Sequence, residues 1–153
     1  MNKKILFQLL AATSALLLTS CGPNYIFKKD YPIANKTWLY RDSLNFEVAI
    51  EDTASLYTIF LDLTHSDDFA SENAYINIFT KSPDGKRTKN LLSVEMADKT
   101  GQWRNGSSSV HLPLQENVHF QQQGNYIFTI AQNNRIDSLQ MIESVGFKVE
   151  KLP

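Results

Sequence analysis

From residue 43 onward, apolar and polar residues alternate one for one over most of the chain. Leu44, Phe46, Val48 and Ile50 alternate with Asn45, Glu47, Ala49 and Glu51, as in a strand with one face in a core and the other in water. Asp52-Thr53-Ala54-Ser55 breaks the run, and Tyr57, Ile59, Leu61 and Leu63 resume it. The spacing predicts that these two runs form an antiparallel hairpin. "AYINIFTK", residues 74–81, is rich in the aromatic and β-branched residues that fit a pleated surface. Ser82-Pro83-Asp84-Gly85-Lys86 follows as a turn, with proline fixing φ and glycine free to take it positive. "RTKNLLSVEMA" is the expected partner strand. Val110, Leu112 and Leu114 mark a further strand, and Val118 and Phe120 a separate one. Tyr126, Phe128 and Ile130 share one side of "YIFTIAQ", and Val145, Phe147 and Val149 alternate in "SVGFKVEK".

These runs number about eight, separated by turn signals at the spacing of an all-β fold. The expected architecture is an antiparallel β-sandwich, jelly-roll-like. Residues 133–144 carry only a little helical spacing (Ile136, Leu139, Met141, Ile142), enough for a single helical turn or a short crossover. Strands do not alternate with helices, which argues against a doubly wound α/β fold.

The N-terminus follows different rules. Met1 to Lys4 is polar and basic, Ile5 to Leu18 is nearly all apolar, and Thr19 and Ser20 are small. Such zones describe a secretory signal over residues 1–20. The apolar run is shorter than the ~20 residues a membrane-spanning helix needs. Cys21 is the one cysteine of the chain, so no disulfide can staple the domain. Leu18-Thr19-Ser20-Cys21 resembles a bacterial lipobox, which implies a diacylglycerol on the Cys21 sulfur, cleavage before Cys21 and acylation of the new amine. Each buried methylene adds ~0.8 kcal/mol, so several chains on one residue hold firmly to a bilayer. Residues 21–35 are expected as a lipidated tether and 36–153 as the sandwich. The tether carries Tyr25, Ile26, Phe27, Tyr31 and Ile33, so two alternatives stand: a flexible spacer, or a segment that pairs with an edge strand.

Charge and chemistry narrow the function classes. The chain has 15 basic against 16 acidic residues, and loss of Lys3 and Lys4 with the signal moves the balance further to the acidic side. Such a balance gives no case for nucleic acid as a partner. Ser109 and His111 would share a strand face, but the G-x-S-x-G turn of a nucleophile elbow is missing around them. His65, Asp67, Asp68 and Glu72 lie in one loop without EF-hand spacing, and His111 with His119 is a ligand short of a zinc site. Glu47, Glu51 and Asp62 fit the wet face of a sheet. No phosphate loop or cofactor motif occurs, so no cofactor, metal or catalytic residue is expected. Aromatic residues remain as candidates: Trp38, Tyr40, Tyr57, Phe60, Tyr75 and Trp103, with Trp38 and Trp103 foremost. Trp103 lies between Gly101 and Gly106 and is either a plug for one end of the sandwich or a hot spot for a protein or sugar.

The order of these pieces resembles the gliding-motility-associated lipoprotein family, GldH-like, of Bacteroidota. The lipobox at Cys21 comes first, then Trp38 ahead of "LNFEVAIEDTASLYTIFLDLTH". Asn73 then precedes "AYINIFTKSPDG", followed by "GQWRNG", "GNYIFTIAQNNR" and a closing "VGFKVEK". The resemblance implies a non-enzymatic accessory lipoprotein of the envelope machinery for gliding and type IX secretion, acting through a protein complex. Cys21 is the one functional residue it transfers, and its partner there is membrane lipid. Gly22-Pro23-Asn24-Tyr25 lacks an acidic export tag, which points to the periplasmic face of the outer membrane. A carbohydrate-binding sandwich lipoprotein is the alternative.

Overall fold

The computed structural model describes residues 22–104 and 108–153. Ten strands run in chain order: β1 (Tyr25–Pro32), β2 (Thr37–Leu39), β3 (Ser43–Ile50), β4 (Tyr57–His65), β5 (Asn73–Lys81), β6 (Arg87–Glu95), β7 (Ser109–Val118), β8 (Gly124–Gln132), β9 (Ser138–Gln140) and β10 (Ile142–Lys151). Eight are long and form two antiparallel sheets, β1-β10-β4-β7 and β3-β8-β5-β6; β2 and β9 pair as a separate short ribbon. Among the eight, the first strand pairs with the last, and most chain-consecutive strands lie in opposite sheets. This is the jelly-roll order of a β-sandwich, as the alternation predicted.

Alternation decides which face is dry. In the first sheet Tyr57, Ile59, Leu61 and Leu63 of β4 and Val145, Phe147 and Val149 of β10 point inward and are buried. In the second, Phe46, Val48 and Ile50 of β3, Tyr126, Phe128 and Ile130 of β8, and Ala74, Ile76 and Ile78 of β5 do the same. The two inner faces meet at a cluster of rings. Phe147 lies 5.1 Å from Phe46, 4.8 Å from Phe128 and 6.3 Å from Phe27 between ring centroids, so both sheets contribute to it.

Three local expectations change. β3 and β4 do not form a hairpin: β3 pairs with β8, and β4 with β10 and β7. The segment 51–56 instead crosses from one sheet to the other, a gap of ~10 Å. The runs around Val110 and Val118 are one strand, β7, whose pairing with β4 slips at two bulges and which carries Asn117 at φ 54. Residues 133–144 contain no helical turn; they contain β9, which pairs with β2 through Trp38 and Leu139. The β5–β6 hairpin forms as expected, with Gly85 at φ 86 in its turn.

Residues 25–32, within the stretch expected as a tether, are the strand β1. It pairs with β10 from Tyr25 opposite Glu150 to Pro32 opposite Ser144. Of the two alternatives for this stretch, pairing with a sheet is what the structure has. The leader and Cys21 lie outside the described residues.

The ends of the sandwich differ. The end where β1 and β4 begin carries the segments 51–56, 82–86, 119–123 and 152–153. The opposite end carries 33–42, 66–72, 96–104 and 133–141. Two ion-paired knots close them. At the first end the Asp52 carboxylate accepts from Lys151 Nζ at 2.7 Å, Ser55 Oγ at 2.7 Å and the Ala54 amide at 2.8 Å. These donors hold its pKa far below the ordinary carboxylate range, the Lys151 hydrogen bond contributing most. At the other end Glu143 accepts from Lys36 at 2.7 Å and Ser66 at 2.8 Å, which lowers its pKa for the same reason.

Candidate functional site

The outward face of the β3-β8-β5-β6 sheet presents an apolar and basic surface. Cross-strand register sets its rows: Ser93 beside Tyr75, Leu91 beside Asn77 and Ala131, Lys89 beside Phe79 and Thr129, Arg87 beside Lys81 and Ile127. On such a face directly opposed residues are near neighbours. Tyr75 is 43% exposed, Phe79 38% and Leu91 60%, an apolar group on two adjacent strands. Two hollows open on this face. One is lined by Phe79, Arg87, Ile127 and Thr129, the other by Tyr75, Leu91, Asn133, Asn134 and Arg135.

Asn77 sits between Tyr75 and Phe79 and is 7% exposed. Its amide nitrogen donates to Asn133 Oδ1 at 2.8 Å, and its Oδ1 has no partner. An unpaired buried amide group costs free energy, so such atoms need a reason. Lys81, Arg87, Lys89 and Arg135 frame the face, and none of them has an ion pair among the described residues. Lys89 lies over the Phe79 ring at 5.4 Å. The acidic groups beside this face are already engaged: Glu47 by Asn125 at 2.8 Å, Glu95 by Arg104 at 3.4 Å.

The opposite outward face is charged and largely self-satisfied. Asp62 on β4 is ion-paired to Lys148 of β10 and hydrogen-bonded to His111 of β7. His111 also stacks on Phe60, 4.6 Å between centroids. Gly146, opposite both Asp30 and Asp62, leaves room for those carboxylates; a methyl there would run into Asp30. Ser109 lies beside Thr64 in the register, one row from this cluster. His119 does not meet His111 but accepts from Gln121 at 3.1 Å.

The aromatic candidates separate cleanly. Trp38 is 1% exposed, and its indole N–H donates to the Asp42 carbonyl at 3.0 Å, so it offers no surface to a ligand. Trp103 bridges to Ala97 and turns its half-buried ring inward, 4.3 Å from His65 and 6.3 Å from Phe69. That is the placement of a plug. His65 is itself buried: its Nδ1–H donates to the Ser66 carbonyl at 2.9 Å, and Nε2 has no partner. No metal-ligating group of three or more occurs among the described residues.

The strand order and the one open sheet face define a jelly-roll β-sandwich, an architecture that many unrelated functions share. The comparison with known proteins is narrower: the GldH lipoprotein family matches residues 25–149, and the chain belongs to that family. It is 30% identical to the gliding motility lipoprotein GldH homolog of Christiangramia forsetii, over 89% of this chain and 90% of that protein. It is 25% identical to gliding motility lipoprotein GldH of Flavobacterium johnsoniae, over 90% of this chain and 92% of that protein. Membership makes the protein a membrane-anchored lipoprotein of the cell envelope. Among solved structures, TmCBM61 bound to β-1,4-galactotriose covers 85% of this chain and 90% of its own, with 9% identity and a TM-score of 0.38. A likeness at that level carries no argument about ligands.

The sheet-face site was visible in the sequence only in part. Tyr75 is one of the aromatic candidates, but Phe79 and Leu91 read as ordinary strand residues until the register sets the three side by side. The one local signal is that Tyr75 and Phe79 fall on the polar phase of an alternating strand.

Proposed function

We propose that this protein is a non-enzymatic lipoprotein of the outer membrane, anchored through acylated Cys21, that serves the gliding-motility and type IX secretion machinery by docking an envelope protein. The docking surface is the outward face of the β3-β8-β5-β6 sheet. One observation carries this reading: Tyr75, Phe79 and Leu91 are exposed around a buried, unpartnered Asn77 carbonyl and ringed by basic groups without ion partners. Aromatic anchors within a polar rim are how protein interfaces concentrate their binding energy. The basic frame selects an acidic partner surface, and a donor from that partner would satisfy Asn77.

The test is complementation of a deletion strain with a Tyr75→Ser, Phe79→Ser, Leu91→Ser variant. Colony spreading or secretion should fall to the level of the deletion, with protein amount, membrane attachment and thermal stability unchanged. Normal spreading by that variant would remove the face from the mechanism. Cys21→Ala should abolish both lipid labelling and membrane attachment.

A further inference from the structure

The tether between the anchor and the domain is almost absent, which fixes how the sandwich meets the membrane. The Lys151 amide donates to the Asn24 carbonyl at 2.9 Å, so the fold already holds the chain at Asn24, one residue before β1. Only Gly22 and Pro23 remain between that point and Cys21. Three fully extended Cα steps span at most about 11 Å, and Pro23 removes part of the freedom of even those. Long strands of nine or ten residues make the sandwich about 30 Å tall. The tether is therefore much shorter than the domain it holds.

From this geometry, and resting on the acylation of Cys21 proposed above, we infer that the domain stands on end against the bilayer. The segments 51–56, 82–86 and 119–123 face the lipid headgroups. The surface at that end fits the assignment. Leu56 and Ile26 are exposed apolar residues there, and Leu56 is held in place by its carbonyl accepting from the Leu152 amide at 2.8 Å. Ile26 lies beside Glu51, Asp52, Tyr57 and Lys151 at the same corner. Charge does not drive the contact. Glu51, Asp52 and Asp84 stand in near balance with Lys81, Lys86, Arg87 and Lys151 at this end, so the apposition to a zwitterionic surface should be insensitive to salt. The Trp103 and His65 end, with exposed Tyr40 and Ile136, then points away from the membrane. The basic and apolar sheet face stands upright, open to a partner approaching along the membrane plane.

The test uses the full lipidated protein in phosphatidylcholine vesicles containing nitroxide-labelled lipid. Acylation consumes Cys21, the one native thiol, so Leu56→Cys, Leu91→Cys and Ile136→Cys each leave a single site for an environment-sensitive fluorophore. The probe at 56 should be quenched at least several-fold more than those at 91 and 136, equally at low and high salt. Inserting ten Gly-Ser residues after Pro23 should relieve that quenching while the protein still floats with the vesicles. Equal quenching at 56 and 136, or stronger quenching at 91, in protein that floats would overturn the orientation and leave the anchor standing. Native protein that stays attached to membranes as Cys21→Ser would instead sink the acylation on which it rests.

Discussion

With no disulfide in reach, the two sheets are held together chiefly by packing, and Phe147 is the residue where that packing concentrates. It is fully buried on β10 and touches Phe46 and Phe128 of the opposite sheet and Phe27 of the neighbouring strand. Truncating a buried phenylalanine to alanine costs about 3–5 kcal/mol, through lost transfer free energy and an unfilled cavity. Ring contacts add about 0.5–1.5 kcal/mol each beyond area, and three of them place this site at the upper end, about 4–5 kcal/mol. A domain of this size has about 5–15 kcal/mol in total, so Phe147→Ala should remove about a quarter of it or more. With a urea slope near 2 kcal/mol/M, the unfolding midpoint should fall by about 2 M. The assay is equilibrium urea unfolding of the domain, followed by the fluorescence of Trp38 and Trp103 and by far-UV circular dichroism. Phe147→Leu keeps most of the apolar volume and should lose well under half as much. A midpoint for Phe147→Ala within about 0.5 M of the parent, at unchanged slope, would refute the idea that this ring cluster joins the sheets.

Two further outcomes are expected. Folding lowers the Asp52 pKa, so its stabilisation is complete above the ordinary carboxylate value near 4 and drains away as pH falls below it. Urea midpoints measured between pH 6 and pH 2.5 should decline more shallowly in Asp52→Asn than in the parent, and parallel slopes would exclude a role for this carboxylate. Trp103→Ala should cost about 1.5–3 kcal/mol, below the fully buried range because the ring is half-exposed. Amide exchange should accelerate in 66–72 and 96–104, and a strong glycan-array signal lost in this variant would revive a sugar-binding role for the indole.

What was legible in the chain follows from the range of each interaction. The inner faces of β3, β4, β8 and β10 could be read directly, because alternation is a local property that burial enforces. Pairing is not local. Asp52 to Ser55 reads equally well as a hairpin turn or as a crossing between sheets, and only the jelly-roll order decides. The bulges of β7 hide its continuity because each slip reverses the phase of the pattern. Residues 138–140 are too few for any period, and their strand exists because β2 lies opposite. Trp38 and Trp103 look alike as candidates, yet Trp38 falls on the short ribbon and is swallowed by the core. Asn77 gives no sign in sequence that its carbonyl will be enclosed without a donor, since that depends on Leu91 of β6 and on Ala131 and Asn133 at the end of β8 arriving beside it.

The pairing of Tyr25 with Glu150 also sets the order of events during export. With residues 1–20 as the expected secretory signal, β1 crosses the inner membrane first, yet it has no hydrogen-bonding partner until β10 has crossed as well. Contacts this distant in sequence close slowly, which keeps the chain open during translocation and leaves the sheet unfinished until then. A chain cut before Ile142 would expose bare edges on both β1 and β4, an invitation to proteolysis or to self-association.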